Sequence, residues 1–399
     1  MNPLERKFYK LGVENAPGQK TNPETSSEKV SNLIVDFSHG DVDAFNPIPG
    51  TLEKFIEGVR FGAGQAYTEY KGKGEIRSNI ANKISKFTST TFNAESDMII
   101  TPGTQGALFL AMGSTISKGD KVAIIEPDYF ANRKITEFFE GEIIPVQLDY
   151  INNDSSAGID LTQLENAFQK GVKLFLFSNP NNPTGVIYSS SEISTIAELA
   201  QKYGVTVIVD QLYSRQIFDN REYNHLCAQN QIDFNNVITI MGPSKTESLS
   251  GYRLGVAFGA PKLIERMEKL QAIVSLRAGG YNQAVLNLWF SEPNGWLKKR
   301  IKQHQAIRDD LISRLKTTDG LFKVRTTEAG SYLFPEITNI NGEINSFVET
   351  LRLQENIIIT PGQEFGSQFT NSFRINFSQD HTTAVDAIDR IINLAKEYN

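Results

Sequence analysis

The sequence predicts an α/β fold in which helices cover a largely parallel sheet, with a smaller α+β domain after it. Short apolar runs rich in β-branched residues recur through the middle of the 399-residue chain. Amphipathic helical patterns separate several of these runs, and the rhythm changes after about residue 282. Such alternation is typical of parallel sheets whose strands are buried on both faces.

Six apolar runs are the candidate strands of this sheet. They are "VAIIE" (122–126), "IIPVQL" (143–148), "LFLFS" (174–178), "VTVIVD" (205–210), "VITIM" (237–241) and "GVAFGA" (255–260). Each has the length and the β-branched content of a buried strand. Between two of them, the segment 189–203 opens with Ser189-x-x-Glu192, the spacing of a capping box, which predicts a helix there.

The C-terminal part of the chain has a different layout. A long charged helical pattern, "LKKRIKQHQAIRDDLISRL", is followed by the short strands "SYLFPEI" and "FRINFS" and by helices predicted over 345–355 and 384–398. We therefore expect an N-terminal segment (1–46) ahead of the domain that holds the sheet. A large domain (47–290) and a small α+β domain (291–399) complete the expected organisation.

Composition argues against several classes of partner and site. A net charge of −6 disfavours nucleic acid as a partner, because phosphate backbones select basic surfaces. We expect no membrane association, since neither a signal-peptide pattern nor a run of about 18 apolar residues is present. Cys227 is the only cysteine, which excludes an intrachain disulfide and favours a cytoplasmic location. The four histidines are scattered, so we expect no metal site.

Polar and charged side chains follow the ends of the candidate strands, where open α/β sheets bind ligands. They are Tyr129 in "EPDYF", Asn182 in "NPNNPTG", Asp210 and Tyr213 in "VIVDQLY", and Lys245 and Arg253 in "SKTESLSGYRLG". The segment "TPGTQGALFLAM" (101–112) reads as a turn entering a helix, whose free N–H groups could hold an anion. Each feature alone is equally well a turn or a helix cap. Together they favour a planar cofactor that carries a phosphate.

Pyridoxal phosphate is the cofactor whose chemistry these residues match. A lysine such as Lys245 can form a Schiff base with a carbonyl cofactor, and a substrate amine can displace it. The ring nitrogen needs an acidic partner, which Asp210 can supply. Asn182 and Tyr213 can donate hydrogen bonds to the phenolic oxygen, and the Arg253 guanidinium suits a phosphate.

The order and spacing of the motifs resemble those of the class I/II aminotransferases, the pyridoxal-phosphate enzymes of fold type I. The resemblance covers most of the chain and includes, besides the segments above, "YTEYKGKGEIR" (67–77), "PGQEFG" (361–366) and "FRINFS" (373–378). It implies a large domain with a mostly parallel seven-stranded sheet between helices, and a smaller α+β domain. It also implies a homodimer with shared active sites.

The resemblance assigns the catalytic roles. Lys245 would form the internal aldimine and then act as acid and base in the proton shift. An amino group would thereby move between an α-amino acid and a 2-oxo acid by ping-pong chemistry. Asp210 would pair with the pyridinium, while Asn182 and Tyr213 would hold the phenolic oxygen.

The remaining contacts are implied in the same way. Arg253 and the amides of Thr104 and Gln105 would hold the phosphate, and Tyr129 would cover the ring. Tyr67 matches the tyrosine that reaches across the dimer to the partner's phosphate.

Substrate contacts also follow from the resemblance. Arg374 would clamp the substrate's α-carboxylate, and a bidentate arginine–carboxylate pair gives both strength and orientation. Asn182 would face the substrate as well. Gly40, in "FSHGDVDAF", matches the mobile N-terminal segment (here 1–46) that joins the small domain and closes over the substrate.

Three residues depart from the family pattern. Gly242 stands where many relatives carry a phosphate-binding serine or threonine, and Ser244 could supply that hydroxyl. Gln211 follows Asp210 where an acid is commoner. Glu247 stands where relatives carry an aromatic or aliphatic residue. An acid there could tune the pKa of the lysine or face a cationic substrate, but we expect a solvated glutamate at a helix start.

The sequence leaves alternatives open. A pyridoxal-phosphate lyase, racemase or cyclising enzyme would use the same residues. A regulator that retains the fold would carry a DNA-binding segment, and the residues before the large domain lack a basic helix-turn-helix pattern. Arg133 and Arg277 could each face a second substrate carboxylate, although we expect ordinary solvated arginines. The sequence does not identify the amino acid.

Overall fold

The computed structural model describes residues 34–39, 44–340 and 342–398, in which twelve α-helices and fourteen strands are formed. The helices are α1 (Thr51–Arg60), α2 (Ala63–Ala66), α3 (Gly74–Thr88), α4 (Gly103–Gly113), α5 (Phe130–Phe138), α6 (Leu161–Gln169), α7 (Ser190–Tyr203), α8 (Pro261–Val274), α9 (Gly280–Gln283), α10 (Trp296–Lys316), α11 (Ile344–Glu355) and α12 (His381–Glu397). None of these described helices is long and apolar enough to cross a membrane.

The strands follow the same chain order. They are β1 (Val35–Asp36), β2 (Met98–Pro102), β3 (Lys121–Glu126), β4 (Glu142–Gln147), β5 (Leu174–Ser178), β6 (Thr206–Asp210), β7 (Val237–Met241), β8 (Leu254–Gly259), β9 (Phe322–Lys323), β10 (Tyr332–Leu333), β11 (Glu336–Ile337), β12 (Ile357–Ile358), β13 (Thr360–Pro361) and β14 (Phe373–Asn376).

A seven-stranded sheet with the order β2-β8-β7-β6-β5-β3-β4 forms the centre of the fold. Strands β4, β3, β5, β6 and β7 run parallel, and β8 runs antiparallel to both of its neighbours. The expected mostly parallel seven-stranded sheet is therefore confirmed. All six candidate runs are strands, and β2 is the one the apolar runs did not include. Apolar clusters on the two faces of the sheet bury its side chains against the helices.

The predicted capping box begins α7. The Ser189 hydroxyl accepts from the backbone N–H of Glu192, while the Glu192 carboxylate accepts from the backbone N–H of Ser189. That carboxylate also accepts from the backbone N–H groups of residues 157–159. One local helix signal therefore also fixes the loop that follows β4.

A second core lies in the C-terminal part of the chain. Strands β10, β14 and β13 form one sheet and β9 pairs with β11, and both pack with α10, α11 and α12 around a separate apolar cluster. Strand β1 pairs with β12, and Phe37 and Phe45 join this cluster. The described residues 35–37 and 45 therefore pack with this C-terminal core. The boundaries at 46 and 290 remain predictions.

A buried ion-pair network fixes the loop that carries Lys245. Glu247 is 1% exposed and pairs with Arg215, whose other nitrogen lies 2.6 Å from Glu292. Burial raises the pKa of Glu247 to about 7, and Arg215 opposes this shift. The expectation of a solvated glutamate is wrong, because Arg215 lies 32 residues away and no local pattern reveals the contact.

Arg300 of α10 holds the same loop from a second direction. Its guanidinium donates to the Ser248 hydroxyl at 2.7 Å and to the Thr246 carbonyl at 3.4 Å. It also donates to the carbonyl of Asn46. The position of Lys245 is thereby tied to α10 and to the chain that precedes α1.

Replacing Arg215 with methionine should strongly destabilise the fold, because it leaves the Glu247 carboxylate buried without its cation. The expected loss of unfolding free energy is about 3–5 kcal/mol, measured by urea denaturation. The double variant Arg215→Met/Glu247→Met should lose less, since it removes both charges. Arg221→Met, at a half-exposed arginine, is the control and should change little. A double variant no more stable than Arg215→Met would contradict this account of the network.

Candidate active site

A cavity of about 170 Å³ opens where the central parallel strands end. Its walls include nine of the predicted residues: Thr104, Gln105, Tyr129, Asn182, Asp210, Tyr213, Ser244, Lys245 and Arg253. Ser250 and Tyr332 line it too, and sequence reasoning missed both. A larger groove of about 660 Å³ along α10 is lined by lysines of that helix and by residues 379–381 instead.

Asp210 ends β6 at the floor of the cavity. One of its oxygens accepts the backbone N–H of Leu212 at 3.0 Å, and no ion pair within the described residues neutralises it. Burial raises the pKa of Asp210 to about 6. A carboxylate in this state gains most from a ligand that brings an N–H cation to it.

Gln211, the neighbour of Asp210, faces away from the cavity. Its side-chain oxygen lies 2.9 Å from Nδ1 of His225, and burial lowers the pKa of that histidine to about 4. A neutral imidazole is well matched by a neutral amide. The departure at Gln211 therefore leaves the cavity side of Asp210 unchanged.

Lys245 is half-buried in the loop after β7 and lines the cavity. Within the described residues its ammonium group has no ion pair and no hydrogen bond. Lysine is usually a solvated surface residue, so an unpaired lysine in a cavity is a candidate nucleophile.

A hydrogen-bonded chain behind the cavity orients Asn182. The backbone N–H of Asn182 donates to the Ser178 hydroxyl at 3.0 Å, and that hydroxyl donates to Asp128. Asp128 also accepts the backbone N–H groups of Ser178 and Tyr129, at 2.8 and 2.6 Å. Burial raises its pKa to about 7. This role of Asp128 was missed, although the motif "EPDYF" contains it.

Arg374 reaches the cavity from β14 in the C-terminal core. It donates to the Asn182 side-chain oxygen at 3.0 Å and to the Ser38 carbonyl at 2.7 Å. The guanidinium lies over the rings of Tyr332 and Phe365, at 4.3 and 4.9 Å. Its Nε is buried and has no hydrogen-bond partner among the described residues. A carboxylate placed there would supply the missing acceptor.

The N-terminus of α4 and Arg253 form the other end of the cavity. Gly103 opens α4 at φ +75°, and a Cβ at this position would lie 2.7 Å from the Arg253 guanidinium. The glycine therefore lets Arg253 approach the helix N-terminus closely. Free N–H groups, a helix dipole and a guanidinium at one place suit a phosphate.

Steric contacts explain why residue 242 is a glycine. A Cβ there would lie 2.7 Å from the Thr104 methyl group and 3.1 Å from the Leu254 carbonyl oxygen. Thr104 therefore fills the space that a serine or threonine at 242 would need. The hydroxyls of Ser244 and Ser250 remain on the cavity wall.

Three predicted residues do not line the described cavity. Arg374 borders it through Asn182 and Tyr332, as described above. Tyr67 is 71% exposed, and its ring lies 3.6 Å from the Arg277 guanidinium. Gly40 lies outside the described residues.

The two arginines considered for a second carboxylate differ. Arg133 donates to the carbonyls of Glu364 and Gln363, so its guanidinium links α5 to the C-terminal part. Arg277 is half-buried, and its Nε and Nη1 are buried without a hydrogen-bond partner in the described structure. The expectation of an ordinary solvated arginine is therefore wrong for Arg277.

Known proteins resemble this chain over almost its whole length. The family model described as aminotransferase class I and II matches residues 33–391. The crystal structure of an aspartate aminotransferase from Rhodobacter sphaeroides has a TM-score of 0.93 and 55% identity, covering 99% of this chain and 100% of its own. An aspartate aminotransferase of Sulfolobus acidocaldarius is 27% identical over 365 residues, 90% of this chain and 89% of its own length.

The fold recurs at lower identity in the aromatic aminotransferase from Pyrococcus horikoshii, with a TM-score of 0.84, 21% identity, and coverage of 91% of this chain and 96% of its own. The relatives favour amino-group transfer over the lyase, racemase and cyclising alternatives. Since the family model spans both the central sheet and the C-terminal core, this chain belongs to the class I and II aminotransferases of fold type I and is a pyridoxal-phosphate-dependent transferase.

Proposed function

We propose that this aminotransferase exchanges an amino group between a dicarboxylic amino acid of the aspartate type and a 2-oxo acid, with Lys245 as the attachment point for the cofactor. The observation that carries the proposal is one cavity bordered by an unpaired lysine, a buried acid without a counter-ion and an arginine with an unused donor. Relatives named aspartate aminotransferase support the donor class.

Pyridoxal phosphate, when bound, supplies an aldehyde for covalent attachment and an electron-withdrawing ring. Asp210 would hold the proton on the ring nitrogen, because burial leaves this carboxylate in need of a cationic partner. Asn182 and Tyr213 would donate to the phenolic oxygen, and Tyr129 would cover one face of the ring. These assignments rest on the positions of the side chains around the cavity.

The phosphate would occupy the end of the cavity at α4. The amides of Thr104 and Gln105, the Ser244 hydroxyl and Arg253 would hold it. Tyr67 would complete this set in the second subunit of a dimer, because its ring is largely exposed and does not line the cavity of its own chain.

Substrate would bind between Arg374 and Lys245. Arg374 would hold the α-carboxylate through the donors that its own chain leaves free, with Asn182 fixing the orientation of its guanidinium. The Lys245 amine would be the base that accepts the proton of the substrate Cα and the acid that donates it again in the 1,3-proton shift. General acid–base catalysis of this kind contributes about 10²–10⁴-fold to a rate.

Borohydride reduction of the loaded protein tests the attachment point. Cofactor mass should become fixed on the Lys245 peptide, identified by mass spectrometry. Lys245→Ala should lose the adduct and reduce transamination by about 10³-fold or more. Lys262→Ala, at a lysine outside the cavity at the start of α8, should retain the adduct on Lys245 and the transamination activity. An adduct on another lysine would contradict the assignment.

Arg277 is the residue we propose for the second carboxylate of the substrate. Two of its donors are buried and unpaired, and its guanidinium lies against Tyr67 and Tyr70 at 3.6 and 4.9 Å. Because Tyr67 is assigned to the partner's cofactor, Arg277 would face the partner's substrate from the same surface. A cation there would favour a substrate with two carboxylates over a substrate with one.

Replacing Arg277 with alanine should lower kcat/KM for aspartate by about 10- to 100-fold, the value of a charge-assisted hydrogen bond. With alanine as the substrate, which has one carboxylate, kcat/KM should change less than about threefold. Arg266→Ala, on the exposed side of α8, is the matched control. Equal losses of kcat/KM for aspartate and alanine would show that Arg277 does not bind the side-chain carboxylate of the substrate.

A homodimer is the assembly we propose, since one face of the chain carries large exposed apolar side chains. They lie on α1 and after it, at the end of α8 and on α9: Leu52, Ile56, Val59, Phe61, Tyr67, Tyr70, Ile273, Val274, Leu276 and Tyr281. Helix α9 packs against both α1 and α2, so these segments form one surface. A second copy of this chain would cover it, which also brings Tyr67 and Arg277 to the partner's cavity.

Light scattering should report twice the 44.5 kDa chain mass for the native protein. The double variant Ile56→Glu/Val59→Glu should shift toward a monomer and lose activity more than about tenfold, because buried charges oppose association. Leu353→Glu, at an exposed leucine of α11, should leave mass and activity unchanged. A fully active native monomer would contradict the shared-site proposal.

We also propose a cytoplasmic location and the two-domain division at residues 46 and 290. The single buried cysteine suits a reducing compartment. The pairing of β1 with β12, and the separate C-terminal core, support the division.

A further inference from the structure

We propose that Tyr332 is a positioning residue whose hydroxyl donates to Tyr213 and thereby strengthens the hydrogen bond from Tyr213 to the cofactor's phenolic oxygen. The inference rests on the proposed function, because the position of the phenolic oxygen is taken from it. Tyr332 lies in β10 of the C-terminal core, 119 residues from Tyr213, within the predicted strand "SYLFPEI", for which the sequence indicated no role in the site.

The two tyrosines form a buried pair on the cavity wall. Tyr213 and Tyr332 are each 4% exposed, their hydroxyl oxygens are 2.9 Å apart, and their rings meet edge to face with centroids 5.5 Å apart. Gly330, at φ +78°, packs against the Tyr213 ring and brings β10 close to it. The geometry holds the two hydroxyls together independently of any ligand.

Counting protons sets the direction of the hydrogen bonds. Each phenol carries one O–H, and in the structure Tyr213 donates its proton to Tyr332. When Tyr213 instead donates to the phenolic oxygen, the contact between the tyrosines persists only if Tyr332 becomes the donor. Two consecutive O–H donors that end on an anionic oxygen polarise one another, so the final bond is stronger than from Tyr213 alone.

The charges around Tyr332 link this pair to the carboxylate site. Although burial acts to raise the pKa of Tyr332, the charges of Lys245 and Arg374 and the hydrogen bond from Tyr213 leave it below its usual value. A substrate carboxylate on Arg374 would neutralise one of these charges. The Tyr332 proton would then be held more tightly. Binding of a carboxylate at Arg374 would therefore change, through the two tyrosines, the strength of the hydrogen bond to the cofactor's phenolic oxygen.

The other titratable side chains nearby do not compete for this role. Tyr129 faces the pair from the start of α5, and burial raises its pKa well above the usual value, which keeps it neutral. Burial raises the pKa of Tyr213 well above its usual value, and the charge of Asp210 at the floor of the cavity adds a small contribution in the same direction. Tyr332 is thus the member of the pair whose pKa both Lys245 and Arg374 lower.

The Tyr332→Phe holoenzyme tests the inference. The measured quantity is the pKa of the pH-dependent visible absorbance of the bound cofactor, which falls when donors stabilise negative charge on the phenolic oxygen. Removing the Tyr332 hydroxyl should raise this pKa by roughly half to one unit. Tyr213→Phe should raise it further, and adding Tyr332→Phe to Tyr213→Phe should change nothing more.

An unreactive dicarboxylate provides a second readout. It should shift the chromophore pKa less in Tyr332→Phe than in the native enzyme, because the tyrosine route from Arg374 is lost. The matched control is Tyr150→Phe, which removes a buried hydroxyl bonded to the Phe334 carbonyl at 3.2 Å. This control should leave both quantities unchanged.

The outcomes separate the inference from the proposed function. An unchanged pKa in Tyr332→Phe, alongside a raised pKa in Tyr213→Phe, overturns the inference alone. A native protein without a visible cofactor band overturns the proposed site. Tyr332→Leu is the second variant, and loss of cofactor from both Tyr332 variants would also overturn the inference, since a residue acting only through Tyr213 is not needed for retention.

Discussion

The buried carboxylate of Asp210 is the constraint on which the site depends. A carboxylate removed from water costs several kcal/mol unless a cation or several hydrogen bonds compensate it, and Asp210 has one backbone N–H. Its position at the end of β6 follows from the parallel sheet, which brings the carboxyl ends of neighbouring strands to one edge. A cofactor that brings a protonated ring nitrogen removes the cost, so protein stability and cofactor binding are linked through this side chain.

A different set of contacts positions Lys245. Its loop leaves β7 and is fixed by Arg215 through Glu247 and by Arg300 through Thr246 and Ser248. Because these arginines belong to the loop after β6 and to α10, the amine is positioned against both cores. Arg374 likewise crosses from the C-terminal core to Asn182. A relative movement of the two cores would therefore change the distance between the carboxylate site and the amine together with the hydrogen bonds that orient them.

Much of the site could be predicted because it is local in sequence. The apolar runs are followed closely by Asn182, Asp210 and Lys245. In a parallel sheet the carboxyl ends of the strands lie at one edge, whatever the order of the strands. The resemblance to a family supplied the distant members, such as Arg374, and the expectation for Tyr67.

What sequence reasoning missed depends on contacts between distant segments. Tyr332 meets Tyr213 because residues 329–331 bond to the segment at 216–217, and Glu247 meets Arg215 only in the folded chain. The glycine at 242 is explained by the Thr104 methyl group, which a single sequence does not place beside it. In each case the residue type is ordinary and the three-dimensional neighbour decides its role.

If the proposed function is right, this cavity carries out half of an amino-group exchange without an acceptor present. The direct measurement adds L-aspartate to the cofactor-loaded protein and follows visible absorbance and products in a single turnover. We expect loss of the visible band, with one equivalent of the matching 2-oxo acid per bound cofactor and no ammonia. Release of ammonia, or an unchanged band with every proteinogenic amino acid tried, would contradict it.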